Sequence, residues 1–297
     1  MSSGNKIIVI LGPTASGKSK FGVKVAKKFN GEFISADSRQ VYKELDIGSG
    51  KITKKETRGV FHYCIDIVSP KKIFTVVDFK NRTDEAIEKI FAKNKIPIIV
   101  GGTGLYIQAI VDNVALPEVK PNWKLRKELE KKTTDEMFKI LKKLDPRRAK
   151  NIDSKNPRRL MRAIEIAKAL GKVPKISKIS NLKSKIFLQI GLKLPDEILK
   201  KNIKKRIKNM IKRGLIKETK KLRDSGLSWK RIYELGFEYK YPAMYLRGLM
   251  GKKEMAGKMI TENWQYAKRQ MTWFKRDKRI NWIKNYKEAE KLAKKFI

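Results

Sequence analysis

An apolar run at residues 7–11 passes directly into Gly12-Pro13-Thr14-Ala15-Ser16-Gly17-Lys18-Ser19, which matches G-x-x-x-x-G-K-[ST]. The order strand, glycine turn, helix start points backbone N–H groups into one concavity at a helix N-terminus, where partial positive charge gathers. Lys18 adds a full mobile charge, and the Ser19 hydroxyl can ligate Mg²⁺. Such a loop holds a di- or triphosphate. What becomes of that phosphate must be read from the rest of the chain.

Around the loop, short apolar strands alternate with helical patterns. Strands are expected at 7–11, 32–36 and 96–100, and helices at 18–29 and 79–93. That alternation implies an α/β fold with a parallel sheet covered on both faces. Sites in such sheets lie outside the carboxyl ends of the strands. The loop, Asp37 and Gly101-Gly102-Thr103 all fall at such ends and are expected to converge. From about residue 119 strand-like runs vanish, and helical spacing dominates at 123–131, 135–144 and 157–170, stopped by Gly171. We read residues 119–180 as a helical insertion, with a Lys/Ser-rich stretch near its end. Residues 1–118 form the first part of the core, and residues 181–297 complete it. The completing part holds a returning strand at 186–190, basic helices at 196–213, 214–224 and 254–275, and a last short strand at 280–283.

Charge decides the class of partner. The chain carries 72 Lys plus Arg against 30 Asp plus Glu, a formal +42. A field of that size concentrates polyanions and makes their capture salt-sensitive. Overall lysine bias is the plain alternative, but arginines also cluster, in Arg147-Arg148 and Arg158-Arg159-x-x-Arg162, which favours nucleic acid. The single cysteine, Cys64, excludes an intramolecular disulfide framework and a Cys-cluster zinc site. It reads as a buried strand residue, and His62, the only histidine, as structural. No apolar run reaches membrane length. A reducing, cytoplasmic setting without membrane or secretory leader is therefore expected.

Two further segments carry chemistry. Asp37 sits at the exit of the second strand, where it can serve as general base, hold Mg²⁺ through water, or merely cap a turn. Ser38, Arg39 and Gln40 follow it and can hydrogen-bond a base edge. The strand at 96–100 opens into Gly101-Gly102-Thr103-Gly104 rather than the metal-holding Asp of many P-loop nucleoside triphosphatases. Glycine admits a ligand close to the backbone, and the Thr103 hydroxyl can reach a phosphate oxygen.

Together, G-P-T-A-S-G-K-S, I-S-A-D-S-R-Q-V-Y-K-E-L-D-I-G-S-G-K, His62-Tyr-x-Ile-Asp66-Ile-x-Ser-Pro70, V-G-G-T-G-L-Y and Ala267-Lys-Arg-Gln-x-Thr-Trp273 resemble the tRNA isopentenyltransferase family in its bacterial form. The likeness runs in order over nearly the whole chain. It implies a P-loop kinase-like core with a helical insertion that grips the anticodon stem-loop. The implied reaction moves a dimethylallyl group from dimethylallyl diphosphate to N6 of the adenosine 3′-adjacent to the anticodon, with Mg²⁺ and in a monomer. By the same resemblance Asp37 is the base, Lys18 and Ser19 act on the diphosphate, and Thr103 supports both. Arg206 matches a family arginine at the diphosphate, although one more solvated charge on a basic helix is the alternative. Ser38, Arg39 and Gln40 match the segment at the target base. Arg126, Arg158, Arg159, Leu160, Met161 and Arg162 match the tRNA contacts. Trp264 stands where the family usually has arginine, and Glu238 where it has a basic residue; both departures bear on the C-terminal tRNA contacts. No Cys/His zinc-finger tail is seen, which disfavours the eukaryotic type.

Three rivals use the same phosphate loop. A small-molecule kinase would not need so basic a helical insertion. A non-enzymatic nucleic-acid binder would not need Asp37 and Thr103 together. An enzyme prenylating free adenine nucleotides would not need so basic a chain.

Overall fold

The computed structural model describes residues 5–174 and 185–297, so the Lys/Ser-rich stretch lies largely outside the described residues. These form two compact units: the described part of Met1–Asn113 with Asn181–Ile297, and that of Val114–Ser180.

In the first unit the chain runs β1 (Lys6–Leu11), α1 (Lys18–Lys28), β2 (Gly31–Ala36), α2 (Lys54–Thr57), β3 (His62–Tyr63), α3 (Val76–Phe91), β4 (Ile96–Gly101) and α4 (Gly104–Val111). The second unit holds α5 (Trp123–Leu129), α6 (Thr134–Leu144), α7 (Pro146–Ala149) and α8 (Pro157–Leu170). The first unit resumes with β5 (Ile186–Leu192), α9 (Asp196–Lys212), α10 (Leu215–Asp224), α11 (Trp229–Glu234) and α12 (Phe237–Leu246). It ends with α13 (Lys252–Phe274), β6 (Asn281–Ile283) and α14 (Tyr286–Phe296).

Among the described residues the sheet has six strands in the order β3-β2-β4-β1-β5-β6. Every pairing is parallel. Alternation along the strands explains why both faces are covered. Ile7, Val9 and Leu11 of β1, Ile34 of β2 and Ile99 of β4 pack with Phe79, Ile87 and Ile90 of α3. Ile8 and Ile10 of β1, Phe33 of β2 and Ile98 of β4 pack instead with α1 and with Ala289 and Ala293 of α14. A third cluster, built by α9 to α13, buries Val41, Tyr42 and Leu45 from the segment after β2. That cluster carries the C-terminal helices to the end of the sheet where β1, β2 and β4 stop.

The second unit has its own core of Leu125, Leu129, Met137, Leu141, Leu160 and Ile164. Its helices start on the caps the sequence offers: Asn122, Thr133 and Asn156 accept N–H bonds in the first turn, and Pro157 opens α8. Gly171, at φ 77°, ends α8. No helix among the described residues is long and apolar enough to cross a membrane.

The strand placement of Cys64 is corrected: β3 stops at Tyr63, and Cys64 follows in a bend at φ 60°. It is buried, however, and burial pushes its thiol up to about 11. His62 donates through Nδ1 to the Val60 carbonyl, 2.8 Å away, and stacks on Phe33. Burial lowers its pKa, so it stays a neutral packing group.

Candidate functional site

The phosphate loop leaves β1 at Gly12 and enters α1 through Gly17, whose φ of 85° is left-handed and suits glycine. Lys18 Nζ folds back to donate to the Pro13 carbonyl at 3.1 Å. Burial pushes its pKa down to about 8, Asp37 acting against that shift and Arg206 adding to it. A cation already short of water gains most from a bound anion.

Asp37 follows β2 directly, and its Oδ1 accepts the Arg39 N–H at 2.8 Å. Thr103 begins α4 after β4, and its Oγ1 accepts the Ser38 N–H at 3.2 Å. Through this bond the Thr103 hydroxyl fixes the Asp37–Ser38 turn. Gln40 accepts from Ser35 Oγ at 2.9 Å and reaches the Gly50 carbonyl at 3.4 Å.

Arg206 comes from α9 and donates through Nη2 to the Ser49 carbonyl at 3.3 Å, so it is not a solvated charge. Its Nε is buried without a partner. Gly50 is needed here because a side chain would collide with the guanidinium.

Two cavities meet at these groups. One, of about 720 Å³, is walled by the loop, α1 and α9, with Lys24, Lys55, Lys205 and Arg213 on it. The other, of about 190 Å³, holds Asp37, Ser38, Arg39 and Gln40. Lys18, Ser19, Gly50 and Arg206 line both. The smaller space falls below the roughly 300–1,000 Å³ of ordinary ligand pockets. It suits a single base or a short carbon chain rather than a whole nucleotide.

Several residues that hold this site were not singled out from the sequence. Gln270 of α13 accepts the Thr14 N–H at 2.8 Å and donates to the Gly102 carbonyl at 2.8 Å, stapling the two glycine loops together. It lies inside the Ala267–Trp273 motif, which was the available signal. Gly102 must be glycine because a Cβ would strike the Gln270 amide. Removing the amide strands two buried backbone groups and frees both loops, and misplacement by about 1 Å can cost about 10²-fold. Gln270→Ala is therefore expected to lower kcat/KM by about 10²-fold, measured at saturating diphosphate substrate. A value within twofold of the parent would show that the loops keep their spacing without it.

Glu218 of α10 gathers the N–H groups of Asp46, Ile47 and Gly48 and the Tyr239 hydroxyl on one carboxylate. Lys51 bridges Asp46 and Asp66 at 2.6 and 2.5 Å. Together they shape the Asp46–Lys51 turn against Arg206. Glu238, at the start of α12, lines the smaller cavity together with Asp37. Trp264 packs partly against the α9–α13 cluster, with Lys200 and Lys268 over its ring.

In the second unit the expected RNA contacts divide. Leu160 is fully buried in the unit's core and is corrected from a contact to a packing residue, because no atom of it is left for a ligand. Arg126 donates to Glu165 through Nε and Nη2, both at 2.9 Å, and Arg162 donates to the same carboxylate. Arg158 and Arg159 are exposed on the first turn of α8, and Met161 is half-buried.

A family model described as IPP transferase matches residues 40–277. A tRNA dimethylallyltransferase of Acetivibrio thermocellus is 38% identical, covering 98% of this chain and 96% of the relative. The tRNA dimethylallyltransferase 2 of Treponema denticola is 41% identical, over 95% of this chain and 97% of the relative. The crystal structure of a full-length tRNA isopentenylpyrophosphate transferase from Bacillus halodurans matches with a TM-score of 0.71 at 36% identity, covering 94% of this chain and 89% of that one. A eukaryotic dimethylallyltransferase acting on tRNA gives a TM-score of 0.74 at 30% identity, over 91% of this chain and 69% of that one.

Proposed function

The chain belongs to the IPP transferase family, and from that premise we propose that it transfers a dimethylallyl group from dimethylallyl diphosphate to N6 of the adenosine 3′-adjacent to the anticodon of tRNA. One observation carries the assignment of parts: Lys18 and Ser19 of the phosphate loop and Arg206 line both a wide basic cavity and a narrow one, and Asp37 lines the narrow one.

The diphosphate lies at that junction, on the backbone N–H groups at the start of α1, Lys18 and Arg206. The adenine, turned out of the loop stack, enters the narrow cavity beside Ser38, Arg39 and Gln40. An exocyclic amine is a weak nucleophile, so the allylic C–O bond breaks early and the leaving diphosphate needs preorganised positive charge. As the new N6–C bond forms, Asp37 accepts the amine proton. Thr103 keeps the Asp37 turn in place through the Ser38 N–H.

A divalent ion, Mg²⁺ in our reading, fits Ser19. The described residues hold no cluster of three acidic, His or Cys side chains for a metal. Mg²⁺ commonly binds through few protein oxygens, with phosphate and water filling the rest. Bound there, it would neutralise charge on the diphosphate.

The second unit presents Arg126, Arg158, Arg159 and Arg162 to the tRNA backbone, with Met161 beside them. The protein works as a cytoplasmic monomer without a membrane. The test is to incubate it with dimethylallyl diphosphate, ATP and unmodified tRNA, then digest and weigh the nucleosides. Prenylated adenosine in tRNA but not in free AMP is expected. ATP consumption without prenylation would overturn the reading in favour of a kinase.

A further inference from the structure

Glu238 is half-buried on the wall of the narrow cavity, yet neither the phosphate loop nor the base segment accounts for it. No ion pair within 4 Å joins its carboxylate to a cation among the described residues, although Arg206 and Arg39 both act on its charge. A Cβ on Gly236 would meet Glu238 Oε2 at 3.4 Å and Arg39 Nε at 3.5 Å, so carboxylate and guanidinium flank the same glycine. Arg206 faces the carboxylate from α9, its Nε buried and unpartnered. The charged and titratable groups of the wall are Lys18 from the phosphate loop, Asp37 and Arg39 after β2, Arg206 from α9, Tyr239 from α12 and Tyr266 from α13. Three cations thus share the cavity with two carboxylates, and one carboxylate has no part in the transfer.

We infer that Glu238 is a positioning residue: it balances Arg206 and Arg39 while the cavity is empty, and it takes one proton from solvent when a diphosphate binds Arg206. The inference rests on the diphosphate site proposed above. Its logic is charge compensation on one partly desolvated cavity wall. A polyanion arriving at Arg206 withdraws the attraction that keeps Glu238 ionised and adds repulsion, so the carboxyl becomes easier to protonate. Burial already pushes Glu238 up to about 7, against the opposing pull of Arg206 and Arg39 and with the Asp37 charge adding to the rise. The free enzyme is therefore poised where a further push is felt near neutrality.

The sign follows from linkage. Binding raises the Glu238 pKa, so diphosphate affinity is flat below about pH 7 and falls as pH rises above it. One proton limits the slope to about tenfold in Kd per pH unit. The fall ends where the pKa of the complex is reached. Lys18, at about 8, acts in the same direction but in a higher window.

The experiment titrates inorganic diphosphate into the full chain by calorimetry from pH 6.5 to 8.5, in buffers of different ionisation enthalpy. Glu238→Gln, which mimics the protonated form, is run beside the parent. Expected is proton uptake by the parent between pH 7 and 8 that the variant lacks, with Kd values alike at pH 6.5 and up to about tenfold tighter for the variant at pH 8. Titration of Lys18 and of the diphosphate itself is common to both proteins and cancels in the comparison. Parallel curves would overturn the inference and leave the diphosphate site standing. Absence of diphosphate binding in either protein would overturn both. Should the variant fail to fold, infrared difference spectra of the ¹³C-glutamate-labelled parent decide: the carbonyl stretch of a protonated glutamate must grow when diphosphate is added at pH 7.5. Its absence sinks the inference.

Discussion

Replacing Asp37 with alanine is expected to lower kcat by about 10²–10⁴-fold, the range typical for loss of a general base, while tRNA affinity stays within a few-fold. The difficulty is that Asp37 already has a structural duty, because Oδ1 accepts the Arg39 N–H and shapes the turn that carries Ser38. Alanine removes both the base and the turn, so alanine alone cannot tell them apart. Asn supplies the control, since its side-chain oxygen still accepts that N–H but does not take up a proton. Asp37→Asn should therefore match alanine in single-turnover transfer. Both variants should keep the tRNA dissociation constant of the parent, measured without the diphosphate substrate. If Asn restores turnover, Asp37 is only a turn former and the proton leaves by another route. Because Asp37 and Glu238 share the cavity wall, the two carboxylates need separate variants.

How much of this was legible without coordinates depended on whether a signal was local. The strands that place the site, β1, β2 and β4, are short apolar runs that lead directly into Gly12, Asp37 and Gly102, and their convergence follows from parallel-sheet geometry. Helix α8 carries Asn156, Pro157 and Gly171 as its punctuation. By contrast, α12 contains Pro242 and buries Tyr239, Tyr241, Pro242 and Ala243 with no single apolar stripe, so periodicity has nothing to detect. Helix α4 reads as an apolar continuation of the glycine turn, and β3 is two residues long. Helix α14 starts on Asn285 and Glu288, but among so many charged stretches it was not singled out from the sequence. The site divides the same way. Lys18, Ser19 and Asp37 lie in contiguous motifs, whereas Glu218 reaches the Gly48 N–H from 170 residues away. On a chain this basic and charged, nothing local marks one glutamate as the cap of a distant loop.

Glu165 is the clearest case of such a hidden residue, and its removal carries the second large effect. The side chain is 1% exposed and accepts from Arg126, Arg162 and the Asn122 N–H. Burial alone would raise its pKa, but the hydrogen bonds from Arg126, Arg162 and Asn122 outweigh burial and hold it below the usual range. Breaking a buried pair by deleting one partner typically costs about 3–5 kcal/mol. Arg126 and Arg162 are partly exposed and can recover water, so Glu165→Ala should destabilise the helical unit by about 3 kcal/mol, near the lower end. Denaturation followed by the fluorescence of Trp123, which lies on α5 beside Arg126, reports that loss. The functional consequence separates two roles for the arginines. Each guanidinium has five N–H donors, and Arg126 spends two of them on Glu165, leaving others for a phosphate. If Glu165 aims these arginines at tRNA, Glu165→Ala should raise KM for tRNA at least tenfold under folding conditions, with kcat at saturation unchanged. If the carboxylate instead withholds them from RNA, freeing the guanidiniums should tighten tRNA binding, and the proposed role of Arg126 and Arg162 as oriented contacts would fail.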